Sequence, residues 1–229
     1  MRKVLLIGAS SAMAKATAEL LNAQGVYVIG ISRKEDPGYC NEWHQVESYS
    51  KSNLPVFSDP IDGLVYFPGS INLKPFHRIT EDDFQQDLII NTWGFVHSAQ
   101  QYYSNLKQGD HPSIVAFSTV AVSTGMPFHS SVALSKGALE GVARALAAEW
   151  APTIRVNVIA PSLTDTPLAE KLLSSDEKRT AAASRNPLKK VGLPTELADA
   201  VTFLLNPSSA WITGHILPVD GGMGALHMM

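Results

Sequence analysis

A parallel sheet with helices on both faces, an α/β fold, is predicted by three observations. Short apolar runs alternate with longer stretches of helical periodicity along the whole chain. The apolar runs lack polar alternation, as strands do when both of their faces are covered. The first run ends in a loop of small residues that opens onto an alanine-rich helix, the arrangement of a doubly wound, Rossmann-type sheet. The 229 residues suit a single domain of this kind, spanning 1–229.

Residues 3–7 form the first apolar run, which ends at Gly8. Arg2 and Lys3 ahead of Val4-Leu5-Leu6-Ile7 mimic a signal peptide, but the run is shorter than the roughly 7–15 apolar residues of such a segment. A first buried strand is the better reading. Residues 12–24 read as a helix, with alanine and leucine at helical spacing and Gly25 just past the end. A second strand covers 26–31. The stretch 32–60 is polar and broken by Pro37, Gly38, Pro55 and Pro60. It holds a weak strand at 44–46 and a third helix that is short or absent. The next strand, 63–67, closes on Pro68-Gly69. Thr80 reads as an N-cap, with Glu81, Asp82 and Asp83 in the first turn, where the helix dipole favours acids. That helix extends to about residue 106. Strand 113–117, an alanine-rich helix 132–150, strand 155–159, a helix from 195 to about 205 and a last strand 215–219 complete the alternation.

Composition removes several classes of function. Hydrophobic residues make up 45% of the chain and charged residues 17%, enough for a sizeable core. The net charge of −3 offers nothing to a phosphate backbone, so no nucleic-acid partner is expected. Cys40 is the single cysteine, which excludes an intrachain disulfide and suits a reducing cytoplasm. No membrane association is expected. The uncharged stretch 111–135 is interrupted by Pro112, Gly125, Pro127 and many hydroxyls.

Two places carry ligand chemistry. In Gly8-Ala9-Ser10-Ser11-Ala12-Met13-Ala14, small residues let the backbone approach a pyrophosphate at a helix N-terminus. The alternative is a tight turn with no ligand. At the end of the second strand stands Ser32-Arg33-Lys34, with no acid to receive a ribose 2′-hydroxyl. Arg33 suits a 2′-phosphate, which favours NADP(H) over NAD(H); the alternative is a solvated basic pair.

Gly8–Ala14, Asp62–Gly69, Asn91–Gly94, Ser135–Leu139, Arg155–Ser162, Trp211–Gly214 and Val219–Gly222, spread over nearly the whole chain, together resemble the motifs of the short-chain dehydrogenase/reductase family. Gly8–Ala14 resembles the family's TGxxxGxG, and Asp62-Gly63-Leu64-Val65-Tyr66-Phe67-Pro68-Gly69 its D-x-L-V-N-N-A-G strand. Asn91-Thr92-Trp93-Gly94 is similar to N-x-x-G, and Ser135-Lys136-Gly137-Ala138-Leu139 to S-K-x-A-L. The segment 113–121 resembles the strand that leads to the catalytic serine. Arg155-Val156-Asn157-Val158-Ile159-Ala160-Pro161-Ser162 is similar to R-V-N-x-I-x-P-G. Trp211-Ile212-Thr213-Gly214 and Val219-Asp220-Gly221-Gly222 match W-I-T-G and V-D-G-G.

The resemblance implies an oxidoreductase that moves hydride between a nicotinamide and a small carbonyl or alcohol. It implies Lys136 as the catalytic lysine, Asn91 as the relay asparagine, and Thr119, with Ser118 as the fallback, as the group that polarises the substrate oxygen. It places the dinucleotide against Gly8, Ser10, Ser11, Ala12, Met13, Ser32, Arg33, Phe67, Pro68, Gly69, Lys136, Pro161, Leu163, Thr164 and Thr166, with no metal. It also implies a homodimer or homotetramer built on the helices after strands four and five, to which Phe95, Val96 and 143–148 lend apolar character.

One departure outweighs the others. Four residues before Lys136 the family carries its proton-donating tyrosine, and here stands Val132. A positioned general acid contributes about 10²–10⁴ in rate. Ala12 and Ala14 replace glycines, Tyr66-Phe67-Pro68 replaces Asn-Asn-Ala, and Ser162 replaces a glycine. Candidate stand-ins are His129, Ser130, Ser131 and Tyr66, or Lys136 acting through a water. Each has a plainer reading: loop histidine, helix cap, packed tyrosine, surface lysine. Segment 163–186 reads as a flap over an apolar substrate, with Leu168, Leu172 and Leu173, unless those leucines only seat a helix. A non-catalytic NADP(H)-binding module is the competing function.

Overall fold

The computed structural model describes residues 1–226. Among these residues seven strands form one parallel sheet: β1 (Lys3–Ile7), β2 (Tyr27–Ser32), β3 (Glu42–Gln45), β4 (Gly63–Tyr66), β5 (Ser113–Phe117), β6 (Arg155–Pro161) and β7 (Ile216–Val219). Their order is β3-β2-β1-β4-β5-β6-β7. The doubly wound sheet expected from the sequence is the one observed. Strand order reverses between β1 and β4, so the loops leaving these neighbours diverge and open a crevice at their carboxyl ends.

The helices are α1 (Ala12–Ala23), α2 (Glu81–Leu88), α3 (Gly94–Lys107), α4 (Ala121–Thr124), α5 (Ser130–Trp150), α6 (Asp176–Arg185) and α7 (Pro194–Leu205). Alternate strand residues feed opposite faces of the sheet. Val4, Leu6 and Val28 pack with Ala14, Ala18 and Leu21 of α1 and with Leu197 and Val201 of α7. Leu5, Ile7 and Ile31 pack with Phe95 and Tyr102 of α3 and with Leu139 and Ala143 of α5. These two apolar layers supply most of the hydrophobic stabilisation.

The helices flanking β3 are almost gone. Residues 33–41 form no helix, and a single 3₁₀ turn, Lys51–Asn53, is all that interrupts the path from β3 to β4. Aromatic side chains fill the space. Tyr39, Cys40 and Trp43 cover one face, with Trp43 lying against Gly30, where a Cβ would come within 2.4 Å of its ring. Phe57 stacks on Tyr102 at 5.7 Å on the other face. An aromatic ring buries as much apolar area as a helical turn presents, so a short, irregular chain suffices to close the sheet there.

Several expected boundaries move. The third strand is Glu42–Gln45 rather than 44–46. The helix from Thr80 runs to Lys107, as expected to within a residue, but a π-helical turn, Ile89–Trp93, divides it into α2 and α3. The alanine-rich helix begins at Ser130, and neither Ser130 nor Ser131 caps it; His129 holds the N-cap position without a side-chain bond. Helices α4 and α6 were not legible in the apolar pattern, since α4 is one short turn and α6 buries no side chain. Of the stretch that lends apolar character to the long helices, Phe95, Ala143 and Ala147 lie in the core, whereas Ala145 and Ala148 are exposed. Tyr66 is fully buried and donates to the Ile90 carbonyl at 2.7 Å. Its hydroxyl occupies the space where a side chain on Gly94 would start, 2.0 Å from that glycine's hypothetical Cβ.

Two glycines on helices separate packing from backbone entropy. Gly94→Ala forces its methyl into Tyr66 and is expected to cost about 1–3 kcal/mol. Gly141→Ala, in α5 with open space around it, is expected to gain about 0.5–1 kcal/mol. Urea unfolding of the two variants checks both signs.

Candidate active site

The crevice is floored by the turn after β1. Gly8 has φ +75°, and a Cβ on it would strike the Pro68 ring at 2.8 Å, so the loops after β1 and β4 touch there. The Gly8 and Ala9 amides both bond the Ile31 carbonyl, at 2.8 and 3.2 Å. Ser11 caps α1 by accepting from Ala14 N at 3.1 Å. The amides of Ala12 and Met13 precede the first intrahelical bond, Lys15 N to Ser11 O at 2.9 Å. They form the open, positive end of the helix dipole. At the end of β2, Ser32 donates to the Ser10 hydroxyl at 2.8 Å. Arg33 is exposed, its guanidinium 5.8 Å from the Tyr49 ring centroid. The Tyr39 hydroxyl donates to the Ala9 carbonyl and ties the 33–41 segment to the same turn. A small-residue turn, free amides and an exposed guanidinium at the next strand end fit a phosphorylated dinucleotide.

Across the crevice, α5 carries Lys136 under the ends of β4 and β5. Its ammonium donates to the Phe117 carbonyl at 2.8 Å and to the Pro68 carbonyl at 3.3 Å. Burial disfavours the charged form and lowers its pKa to about 7, against a smaller opposing pull from Asp87. Lys136 is therefore no surface lysine. Asn91 faces it from the π turn. Asn91 Nδ2 donates to Ser135 Oγ at 3.0 Å and to Ser70 Oγ at 2.8 Å, while its Oδ1 accepts from Ser70 N at 3.2 Å. Thr92, the next residue, donates to the Ser135 carbonyl at 2.7 Å. From this π turn two consecutive residues, Asn91 and Thr92, both bond Ser135 of α5.

The other expected site residues divide. Thr119 sits partly exposed after β5 and accepts from Ala121 N at 3.3 Å. Ser118 is turned the other way: its hydroxyl donates to buried Glu140 at 2.6 Å, and Arg144 holds the second carboxylate oxygen. Phe67 stacks on Phe117 at 5.3 Å beneath the crevice. Pro161 ends β6, and Leu163 and Thr164 follow. The Leu163 carbonyl accepts from Gly192 N at 3.1 Å, and Thr164 forms a β-bridge with Gly192. Thr166 occupies the N-cap of the next 3₁₀ turn without a capping bond.

Val132 is buried where the tyrosine was expected. Among the stand-ins, Tyr66 is locked into the core, and the His129 ring is engaged by the Pro127 carbonyl at 2.7 Å. The Ser131 hydroxyl is fully buried with no partner. In the flap segment, Leu173 is buried whereas Leu168 and Leu172 are exposed. Of the two roles read for these leucines, Leu173 takes the second, seating the chain on the core.

Ser70, Asp87 and Ser135 were missed by sequence reasoning. Asp87 lies one helical turn before Asn91, and its carboxylate accepts from Ser70 Oγ at 2.6 Å. An acid at an inward position of an amphipathic helix was the available signal.

A family model described as enoyl-(acyl carrier protein) reductase matches residues 41–224. A tropinone reductase homolog of Arabidopsis thaliana is 38% identical over 168 residues, which is 73% of this chain and 55% of the relative. The match thus spans little more than half of that relative's length. A second such homolog from the same plant is 31% identical over 239 residues, covering 96% of this chain and 91% of its own. The solved aldohexose dehydrogenase of Thermoplasma acidophilum superposes with a TM-score of 0.90 at 25% identity, over 100% of this chain and 96% of that one. Fold and matches together define a doubly wound α/β protein. The chain belongs to the short-chain dehydrogenase/reductase family.

The buried lysine has a consequence for stability. An unfolded lysine keeps its proton up to 10.5, whereas Lys136 in the fold loses it near 7. Between those values the unfolded state binds more protons, so stability rises with pH, by up to about 1.4 kcal/mol per pH unit. Urea midpoints measured from pH 7 to 9 are expected to show this rise in the native protein and to lose it in Lys136→Met.

Proposed function

We propose that this chain is an NADP(H)-dependent oxidoreductase that interconverts a small carbonyl compound and its alcohol. The observation that supports the reading best is Lys136, a buried ammonium that releases its proton near neutral pH beside Asn91 and the crevice. Gly8, Ser10, Ser11, Ala12 and Met13 would hold the pyrophosphate. Ser32 and Arg33 would hold the adenosine ribose with its 2′-phosphate. Phe67, Pro68, Gly69, Pro161, Leu163, Thr164 and Thr166 would line the nicotinamide half. Bound there, the dinucleotide supplies or accepts hydride.

The protein's own part is proton handling and orientation. Thr119 donates to the substrate oxygen and polarises it; Ser118, committed to Glu140, does not. Reduction places a proton on that oxygen. Val132 has none to give, so Lys136 delivers it through a water. The exposed Leu168 and Leu172 give the flap an apolar surface to lay over the substrate. Assembly as a homodimer or homotetramer would cover Ile89, Trp93 and Leu134, which are 52%, 53% and 49% exposed on and beside the helices that flank the site. The chain works in the cytoplasm on this reading. No helix among the described residues is long and apolar enough to cross a membrane.

A panel of ketones and aldehydes with NADPH tests the function, with the native protein expected to oxidise NADPH. Val132→Tyr is expected to raise the rate by about 10²–10⁴. Tight NADPH binding with no turnover of any carbonyl by the native protein would instead favour the non-catalytic module. Arg33→Ala is expected to weaken NADPH about tenfold or more while leaving NADH nearly unchanged in the same titration. Equal losses for both would remove the 2′-phosphate role.

A further inference from the structure

Asp87 is a carboxylate buried to within 3% of full enclosure, with one oxygen on Ser70 and the other, Oδ2, without any partner. Such a group needs a compensating charge. The ionisable groups on the neighbouring elements are otherwise engaged. Asp83, one turn earlier on α2, is paired with Lys74 and bonded to Thr80. Glu140 on α5 is held by Ser118 and Arg144. Tyr66 of β4 donates to Ile90, and His129 ahead of α5 is bonded to Pro127. Arg155, another buried cation, starts β6 and is spent on Ser209 and the carbonyls of Asn206 and Ile212. Lys136, whose ammonium donates to the Phe117 and Pro68 carbonyls alone, is the buried cation left for Asp87 among the described residues.

A hydrogen-bonded path leads from Asp87 toward the lysine and ends at Ser135, the residue before it. Ser70 bridges Asp87 to Asn91, Asn91 bonds Ser135, and Lys136 is the next residue. Gly69 lies between the two ends. A Cβ on it would stand 3.5 Å from Lys136 Nζ and 3.6 Å from Asn91 Oδ1. The register of the helices adds a further mark. Both α2 and α5 lie in crossovers between parallel strands, so they run in the same direction. The Asn91–Ser135 bond aligns them. One turn earlier on each therefore come Asp87 and Ser131, whose Oδ2 and Oγ are both buried and unpartnered. Two orphaned polar atoms at one level are what an ordered water satisfies.

We propose that Asp87 is the counter-charge of Lys136, coupled to it through Ser70 and Asn91, and that it keeps the lysine protonated in a site whose tyrosine position holds valine. Asp87 is thus a positioning residue. The inference rests on the reading of Lys136 as the proton carrier. The attraction between a buried carboxylate and the lysine favours the ammonium form, which agrees with the opposing pull of Asp87 on the lysine's depressed pKa.

The test uses the full chain without dinucleotide. Urea midpoints are followed from pH 5 to 9 in four proteins: native, Lys136→Met, Asp87→Asn and the double variant. Subtracting each lysine-free partner isolates the titration of Lys136. In Asp87→Asn, which keeps the acceptor for Ser70, that titration is expected to move down by at least about one pH unit. Ser70→Ala, which keeps the charge and cuts the link, is expected to move it less, in the same direction. An unmoved titration in Asp87→Asn overturns the proposal. Should that variant not fold, an unmoved titration in Ser70→Ala does so. NADPH titration of the native protein separates the two readings. No binding there sinks the oxidoreductase and leaves the shift standing, whereas binding with turnover and no shift removes Asp87 alone.

Discussion

An ammonium group taken out of water under the ends of two strands is the constraint around which the crevice is arranged. Lys136 is anchored by the Phe117 and Pro68 carbonyls, the last acceptors available as β5 and β4 give way to loops. Both carbonyls are free to accept because the strands end there; one residue deeper they would be spent in the sheet. The position of the lysine thus depends on where the strands stop, and the strands stop at the crevice because the sheet is parallel. Chemistry and topology are tied by two hydrogen bonds.

Glycine serves the same end at two points of contact. Gly8 lets the turn after β1 lie against Pro68, which fixes the loop that carries one of the lysine's acceptors. Gly94 makes room for the Tyr66 hydroxyl, which in turn holds the Ile90 carbonyl beside Asn91. A tyrosine that the sequence offers as a reactive group is instead a strut. Its burial raises its pKa far beyond the range in which it could exchange protons.

The alternation of apolar runs and the turn at Gly8 were legible in the sequence, because each is written in neighbouring residues, whereas Asn91 and Lys136 were singled out only through the family resemblance. Residues 33–62 were not legible. There the sheet is closed by Tyr39, Trp43 and Phe57 from irregular chain, and single rings leave no periodicity to read. The Asp87–Ser70–Asn91–Ser135 path was equally hidden, since its bonds join residues 17, 21 and 44 positions apart. A serine and an acid are ordinary surface residues until the fold brings them together. Of the apolar residues that lent the long helices the character of an interface, Phe95, Ala143 and Ala147 serve the core, while Ala145 and Ala148 remain exposed.

The π-helical turn between α2 and α3 has a bearing on how this segment can change. It holds one residue more than a regular helical turn needs, so the helices on either side are out of phase by roughly 100°. Removing a single residue from 89–93 would straighten the rod without shortening it noticeably. It would also swing every side chain on one flank around the axis by about 100°. Length in this stretch is therefore quantised: an insertion or deletion turns the buried face of one flank, with Phe95 and Tyr102 on α3, out of the core and breaks the polar seam as well.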